Sequence, residues 1–182
     1  VMGRDAGWIG LHSAIAGGAN ICLIPEIPYN LDSIIEKIDT RYHHGRGFCI
    51  IVISEGAKPL GGTVTGSESG EIGNENFRLG GVGEKLKADL IKAGVEQDVR
   101  VTVLGHLQRG GIPTAFDRVL ASQFGVKAFE LALEGKYGHM VAYRHPDIIS
   151  VPFKEAINNM NFVDPKSDIV RLAKGMGLSF GE

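Results

Sequence analysis

The chain has no excess of basic residues: 19 Lys and Arg stand against 21 Asp and Glu, a formal net charge of -2. The electrostatic footprint of a nucleic-acid-binding surface is therefore missing. It also has no apolar run near the ~20 residues that span a bilayer, and no charged region followed by an apolar core at its start. These absences read as a cytoplasmic chain with neither nucleic acid nor membrane as partner. Cysteine is scarce. Cys22 and Cys49 each sit inside an apolar run without metal-ligand spacing, where a thiol behaves as a small buried hydrophobe in its reduced state. There is no internal repeat. No G-x-G-x-x-G string follows a strand and opens a helix, which excludes a dinucleotide domain of that kind.

What is present is enough for one substantial domain. With 182 residues, 43% of them hydrophobic, the chain builds a real core, or a core plus elements that belong to a neighbour. Glycine is abundant, 26 residues, about twice the ~7% usual in proteins, and it gathers where close backbone turns fall. Val1 leads straight into Met2-Gly3-Arg4 with no helix or strand before it, so the sequence reads as beginning mid-protein.

Trp8, Leu11 and Ile15 recur at helical spacing and predict a helix over Ala6 to Ala16, stopped by Gly17-Gly18. A buried strand follows at Ile21-Cys22-Leu23-Ile24. Leu31, Ile34, Ile35, Ile38 and Tyr42 trace a second amphipathic helix behind Asn30 as its cap. Phe48 to Ile53 reads as the next strand, Gly83 to Ala93 as a third helix and Val99 to Leu104 as a third strand. Unbroken β-branched runs separated by amphipathic helices mean strands buried on both faces. The fold class is therefore α/β, a Rossmann-like parallel sheet flanked by helices. Gly56 to Arg78, polar and aperiodic, is expected to be a long surface loop. Beyond Pro113 the pattern predicts a helix over Ala115 to Leu133 with a break near Gly125, and then a short strand from Met140 to Tyr143. Two helices, Phe153 to Met160 and Asp168 to Lys174, precede a tail at Leu178 to Glu182.

Open parallel sheets bind ligands beyond the C-terminal ends of their strands. Three segments carry polar residues to such places: Met2-Gly3-Arg4, Ser54-Glu55-Gly56, and Gly105-His106-Leu107-Gln108-Arg109-Gly110-Gly111. Taken singly, His106 is a structural histidine, Glu55 a cap or solvated acid, and Gly-Gly a turn. Together they suit a phosphorylated sugar. Glycines permit close backbone approach, Arg109 offers a planar two-pronged donor for a phosphomonoester with His106 beside it, and Glu55 accepts from hydroxyls.

The string from Met2 to Ile9 with Ala14-Ile15-Ala16-Gly17-Gly18-Ala19, and the string from Val103 to Pro113 with Asp117-Arg118 beyond it, resemble the motifs of the 6-phosphofructokinase family. Both stand in the family's order, with Pro25-Glu26 and Ile53-Ser54-Glu55 between them. The resemblance runs from Met2 to Glu182 and is to the C-terminal, fructose 6-phosphate-binding half. It implies that Met2, Gly3 and Arg4 line the sugar-phosphate site, with Arg4 as the catalytic cation near the transferred phosphoryl group. Glu55 would bind sugar hydroxyls, His106 and Arg109 the 6-phosphate, and Arg100 the same phosphate in a neighbouring subunit of a homodimer or homotetramer. The donor is ATP or pyrophosphate, with Mg2+ held mainly through the N-terminal half. The family's glycine-rich donor loop and its Thr-x-Asp-Asn-Asp motif, which supplies the catalytic aspartate, are not in this sequence, so this chain alone is expected to be inactive. Residues 1–109 would form the sugar-phosphate domain, 110–150 would pack on the N-terminal half, and 151–182 would return to the first domain. Asn20 stands where effector-regulated bacterial members carry an acid, and His44 and Arg46 where they carry lysines, so ADP activation of that kind is not expected. A non-catalytic sugar-phosphate-binding regulatory module is the alternative.

Overall fold

A computed structural model describes residues 1–68, 77–79, 81–158 and 160–182. Its elements are α1 (Trp8–Ala16), β1 (Ile21–Leu23), α2 (Leu31–His43), β2 (Ile51–Ile53), β3 (Gly66–Glu68), β4 (Phe77–Leu79) and α3 (Val82–Lys92). A 3-10 helix (Gly105–Arg109), α4 (Ala115–Leu133), β5 (His139–Arg144), β6 (Asp147–Pro152), α5 (Phe153–Asn158) and α6 (Asp168–Gly175) follow. The chain divides into two units: Val1–Gln108 with Phe162–Glu182, and Arg109–Asn161.

The first unit is the expected α/β arrangement. β1 and β2 pair in parallel, Ile21 with Ile51, Cys22 with Val52 and Leu23 with Ile53. Every residue of β1 is buried, and the two-residue period of a strand sends alternate side chains to opposite faces. Ile21 and Leu23 join Ile34 and Ile38 of α2 and Leu86 and Leu90 of α3. Cys22 and Ile24 join Leu11 and Ala14 of α1 and Val170 and Ala173 of α6. One buried strand thus serves two cores, which is why its sequence shows no polar position. Burial, with Glu26 nearby as a lesser cause, pushes the Cys22 thiol up to about 12. Both cysteines are free thiols.

Several expected elements differ. The strand expected at Val99 to Leu104 is not formed, and the residues from 99 to 104 run without regular structure. Its apolar run finds no ladder partner: Val103 is 78% exposed, and a crevice of about 170 Å3, lined by Ile51 and Ile53 of β2 and by Val99 and Val101, stands where pairing would close. The third line of the sheet comes instead from the expected tail. The Cys22 N–H donates to the Ser179 carbonyl at 2.8 Å, and the Ser179 N–H to the Asn20 carbonyl at 3.0 Å. Leu178 and Phe180 then fall into the core beside Cys22. The strand expected from Phe48 begins only at Ile51, since Phe48 and Ile50 are exposed. Within the expected loop from Gly56 to Arg78, β3 and β4 pair antiparallel, and residues 69–76 lie outside the described residues.

In α2 the expected cap is present, the Asn30 Oδ1 accepting from the Asp32 N–H at 2.8 Å. The second unit is built on α4, which starts in a reciprocal cap: the Asp117 N–H donates to Thr114 Oγ1 and the Thr114 N–H to Asp117 Oδ2. α4 runs unbroken through Gly125. A glycine costs a helix interior only about 1 kcal/mol, too little to interrupt 19 residues. The strand expected at Met140 to Tyr143 is one arm of a hairpin whose second arm, β6, was not anticipated; Val141 pairs with Ser150 and Tyr143 with Ile148. Phe116, Val119, Val126, Phe129 and Leu133 of α4 are exposed. The helix expected over Phe153 to Met160 spans Phe153–Asn158, residue 159 lying outside the described residues. Among the described residues no helix is long and apolar enough to cross a membrane.

Candidate functional site

The residues that precede α1 are laid against the end of β2 by backbone hydrogen bonds. The Val1 amine donates to the Ile53 carbonyl at 2.7 Å, the Glu55 N–H to the Val1 carbonyl at 3.0 Å and the Gly56 N–H to the Gly3 carbonyl at 2.9 Å. Met2-Gly3-Arg4 and Ser54-Glu55-Gly56, far apart in the chain, therefore form one structure at the strand tips. The approach is closest at Gly56: a Cβ there would stand 1.7 Å from the Arg4 carbonyl oxygen. Gly3 has φ +137, a conformation that side-chain-bearing residues rarely adopt, and the space above it is taken by Ser54. Ser54 is fully buried.

Glu26, at the end of the strand run that includes β1, holds the other end of this strap. Its carboxylate accepts the Gly7 N–H, 2.9 Å to Oε1 and 3.1 Å to Oε2, and the Val163 N–H at 2.9 Å. A carboxylate against the first turn of α1 also suits the partial positive charge of a helix N-terminus. Glu26→Ala leaves both amides without that acceptor and is expected to lower the unfolding free energy by about 2 kcal/mol, the scale of charge-assisted hydrogen bonds. Urea denaturation measures it, and an unshifted midpoint refutes the anchoring role.

Arg4, Asp5, Glu26, Gly56, Lys58 and Phe162 line a cleft of about 310 Å3. Arg4 and Asp5 are exposed and Lys58 half-buried, so two cations and the Asp5 carboxylate border the space, while the second carboxylate, Glu26, is already engaged with backbone amides. Chemically this is a setting for an anion with hydroxyl groups. Glu55 is half-buried beside Gly56.

His106 is exposed within the 3-10 helix, and Arg109, also exposed, is that helix's last residue and the first of the second unit. The helix is joined to the strap through Gln108, whose Oε1 accepts the Met2 N–H at 3.2 Å. Arg100 does not line the Arg4 cleft. Its Nε donates to Asp98 Oδ2 at 2.9 Å, and both residues border the crevice between β2 and the segment from 97 to 102.

Sequence reasoning singled out Arg4 but passed over Asp5, Glu26 and Lys58 in the cleft and Gln108, which is bonded to Met2. Glu26 and Gln108 lay inside the strings that carried the family resemblance, yet an acid after a proline and an amide between two candidate ligands carry no local signal of their partners. The farther partner of each, Val163 and Met2, is 137 and 106 residues away.

The sequence profile of the family described as Phosphofructokinase matches residues 1–132. The ATP-dependent 6-phosphofructokinase of Chloroflexus aurantiacus is 46% identical over 182 residues, all of this chain and 49% of the relative. The ATP-dependent 6-phosphofructokinase 2 of Clostridium perfringens is 43% identical, again over all of this chain and 50% of its own length. Among solved structures, a pyrophosphate-dependent phosphofructokinase from Marinobacter aquaeolei superimposes with TM-score 0.68 at 27% identity, covering 93% of this chain and 42% of that one. The T-state phosphofructokinase of Pichia pastoris gives TM-score 0.63 at 28% identity, covering 97% of this chain and 18% of that one. The chain thus spans about half the length of the curated relatives it matches.

Proposed function

Because the chain belongs to the phosphofructokinase family, we propose that it supplies the sugar-phosphate side of a 6-phosphofructokinase. That enzyme transfers a phosphoryl group to the 1-hydroxyl of fructose 6-phosphate, giving fructose 1,6-bisphosphate in glycolysis. One observation carries the reading: the strap bearing Arg4 is bonded both to the segment from 54 to 56 and, through Gln108, to the helix bearing His106. The motif strings that resemble the family's sugar-phosphate residues are thus physically joined at the strand tips.

In this reading Arg4 lies beside the transferred group, where a fixed cation stabilises charge that develops in the transition state. Met2 and Gly3 line the sugar, Glu55 accepts from its hydroxyls, and His106 with Arg109 holds the 6-phosphate. Arg100, apart from the Arg4 cleft, serves the corresponding phosphate of a neighbouring subunit in a homodimer or homotetramer. The stretch 110–150, with its exposed α4 side chains, packs on the donor-binding half. ATP is the favoured donor, because the relatives at 43% and 46% identity are named ATP-dependent. Mg2+ accompanies the donor phosphates. Among the described residues no group of three or more His, Cys, Asp and Glu is placed to hold a metal, so the ion is assigned no ligands here. The enzyme is cytoplasmic.

The test is a coupled assay of the full-length gene product with fructose 6-phosphate and ATP or pyrophosphate supplied separately. Turnover with ATP at least tenfold above that with pyrophosphate is expected. Silence with both donors ends the kinase reading, and faster turnover with pyrophosphate overturns the choice of donor.

A further inference from the structure

Gln108 is the one residue of the Gly105-His106-Leu107-Gln108-Arg109 helix whose side chain is seen bonded back to the chain's first residues. Its Oε1 accepts the Met2 N–H at 3.2 Å, while its Nε2 donates to the Gly105 carbonyl at 3.1 Å. The two partners have opposite polarity, a donor and an acceptor, and both are main-chain groups. Among unbranched side chains of this length, an amide meets both demands at once, through separate donor and acceptor atoms. A carboxylate keeps the bond from Met2 and loses the bond to Gly105, and a thioether or hydrocarbon of the same length loses both. The residue is half-buried, and the two bonds hold the amide from both of its polar atoms. Through it, the strap that carries Arg4 and the helix that carries His106 are held at one separation.

Resting on the reading of the preceding subsection, we propose that Gln108 is a positioning residue for fructose 6-phosphate. It contacts no substrate. It fixes the separation between the cation assigned to the transferred phosphoryl group and the imidazole assigned to the 6-phosphate. Two anchors for the ends of one small sugar phosphate must sit at its length, and displacement of one by about 1 Å can reduce catalysis on the order of 100-fold. The strap bearing Arg4 is also held to the segment from 54 to 56, so loss of the Gln108 bonds frees the helix bearing His106, and the effect falls on binding of the sugar phosphate rather than of the donor.

The experiment is steady-state kinetics of the full-length gene product with each substrate varied in turn, for wild type, Gln108→Met and Gln108→Glu, with the thermal midpoint recorded for each. Gln108→Met should raise KM for fructose 6-phosphate about tenfold and leave KM for the phosphoryl donor within about twofold. Gln108→Glu, isosteric and still able to accept from Met2, should fall between wild type and Gln108→Met; it also provides the reading if Gln108→Met fails to fold. A wild-type KM for fructose 6-phosphate in either variant, or equal rises for both substrates, overturns the positioning role. A wild-type protein that does not use fructose 6-phosphate at all fails at the earlier step and removes the proposed function with it.

Discussion

Gly56→Ala should cost the first unit about 3 kcal/mol or more and detach the Arg4 strap from the strand tips. The expectation follows from one distance: the new methyl carbon would lie 1.7 Å from the Arg4 carbonyl oxygen and 3.1 Å from that of Gly3. Neither atom belongs to a flexible side chain that can swing aside. Gly3 is already held by the bond that its carbonyl accepts from the Gly56 N–H. Relief requires the strap to lift, which breaks that bond and moves Arg4 away from Lys58 at the cleft. Urea denaturation gives the loss of stability, and titration calorimetry with fructose 6-phosphate gives the loss of binding. A variant with the wild-type midpoint would mean that the strap does not pack against Gly56 as described.

Arg109→Ala should weaken binding of fructose 6-phosphate by about 2 kcal/mol, roughly 30-fold in Kd, as when a charge-assisted partner of a phosphate is removed. Arg171→Ala is the control. Arg171 is an exposed arginine on α6 paired with Asp168 one turn away, and an exposed pair of that kind is worth little. Its removal should leave the affinity unchanged, so a loss confined to Arg109→Ala separates phosphate recognition from a general loss of positive charge. Unchanged affinity in Arg109→Ala removes that residue from the site.

How much of this was legible before the fold is seen most clearly in β1 and its neighbours. Ile21-Cys22-Leu23, apolar at every position, required a strand covered on both faces, and the structure places one core on each side of it. The amphipathic spacing of α2 and its Asn30 cap were likewise readable, since both depend on residues within a few positions of one another. Val99 to Leu104 shows the converse. It has the composition of a buried strand, but a strand exists only when a neighbour presents free amides and carbonyls at ladder distance, and composition cannot tell whether one does. The sheet position expected of that run is matched on the other edge of β1 by Ser179, from a tail with no strand pattern.

What the amino-acid order determined by itself was of short range: the helix periods, the Asn30 cap, the buried strand β1, and motif strings specific enough to resemble those of one family. What only the tertiary structure decided was which distant atoms meet. Gly56 lies under Arg4, Glu26 holds Gly7 and Val163, and Gln108 spans Met2 and Gly105. The reason is physical. A helical pattern is enforced by hydrogen bonds between residues four apart, whereas an amide and a carbonyl a hundred residues apart find each other only after two cores have packed and brought the strand tips to one place.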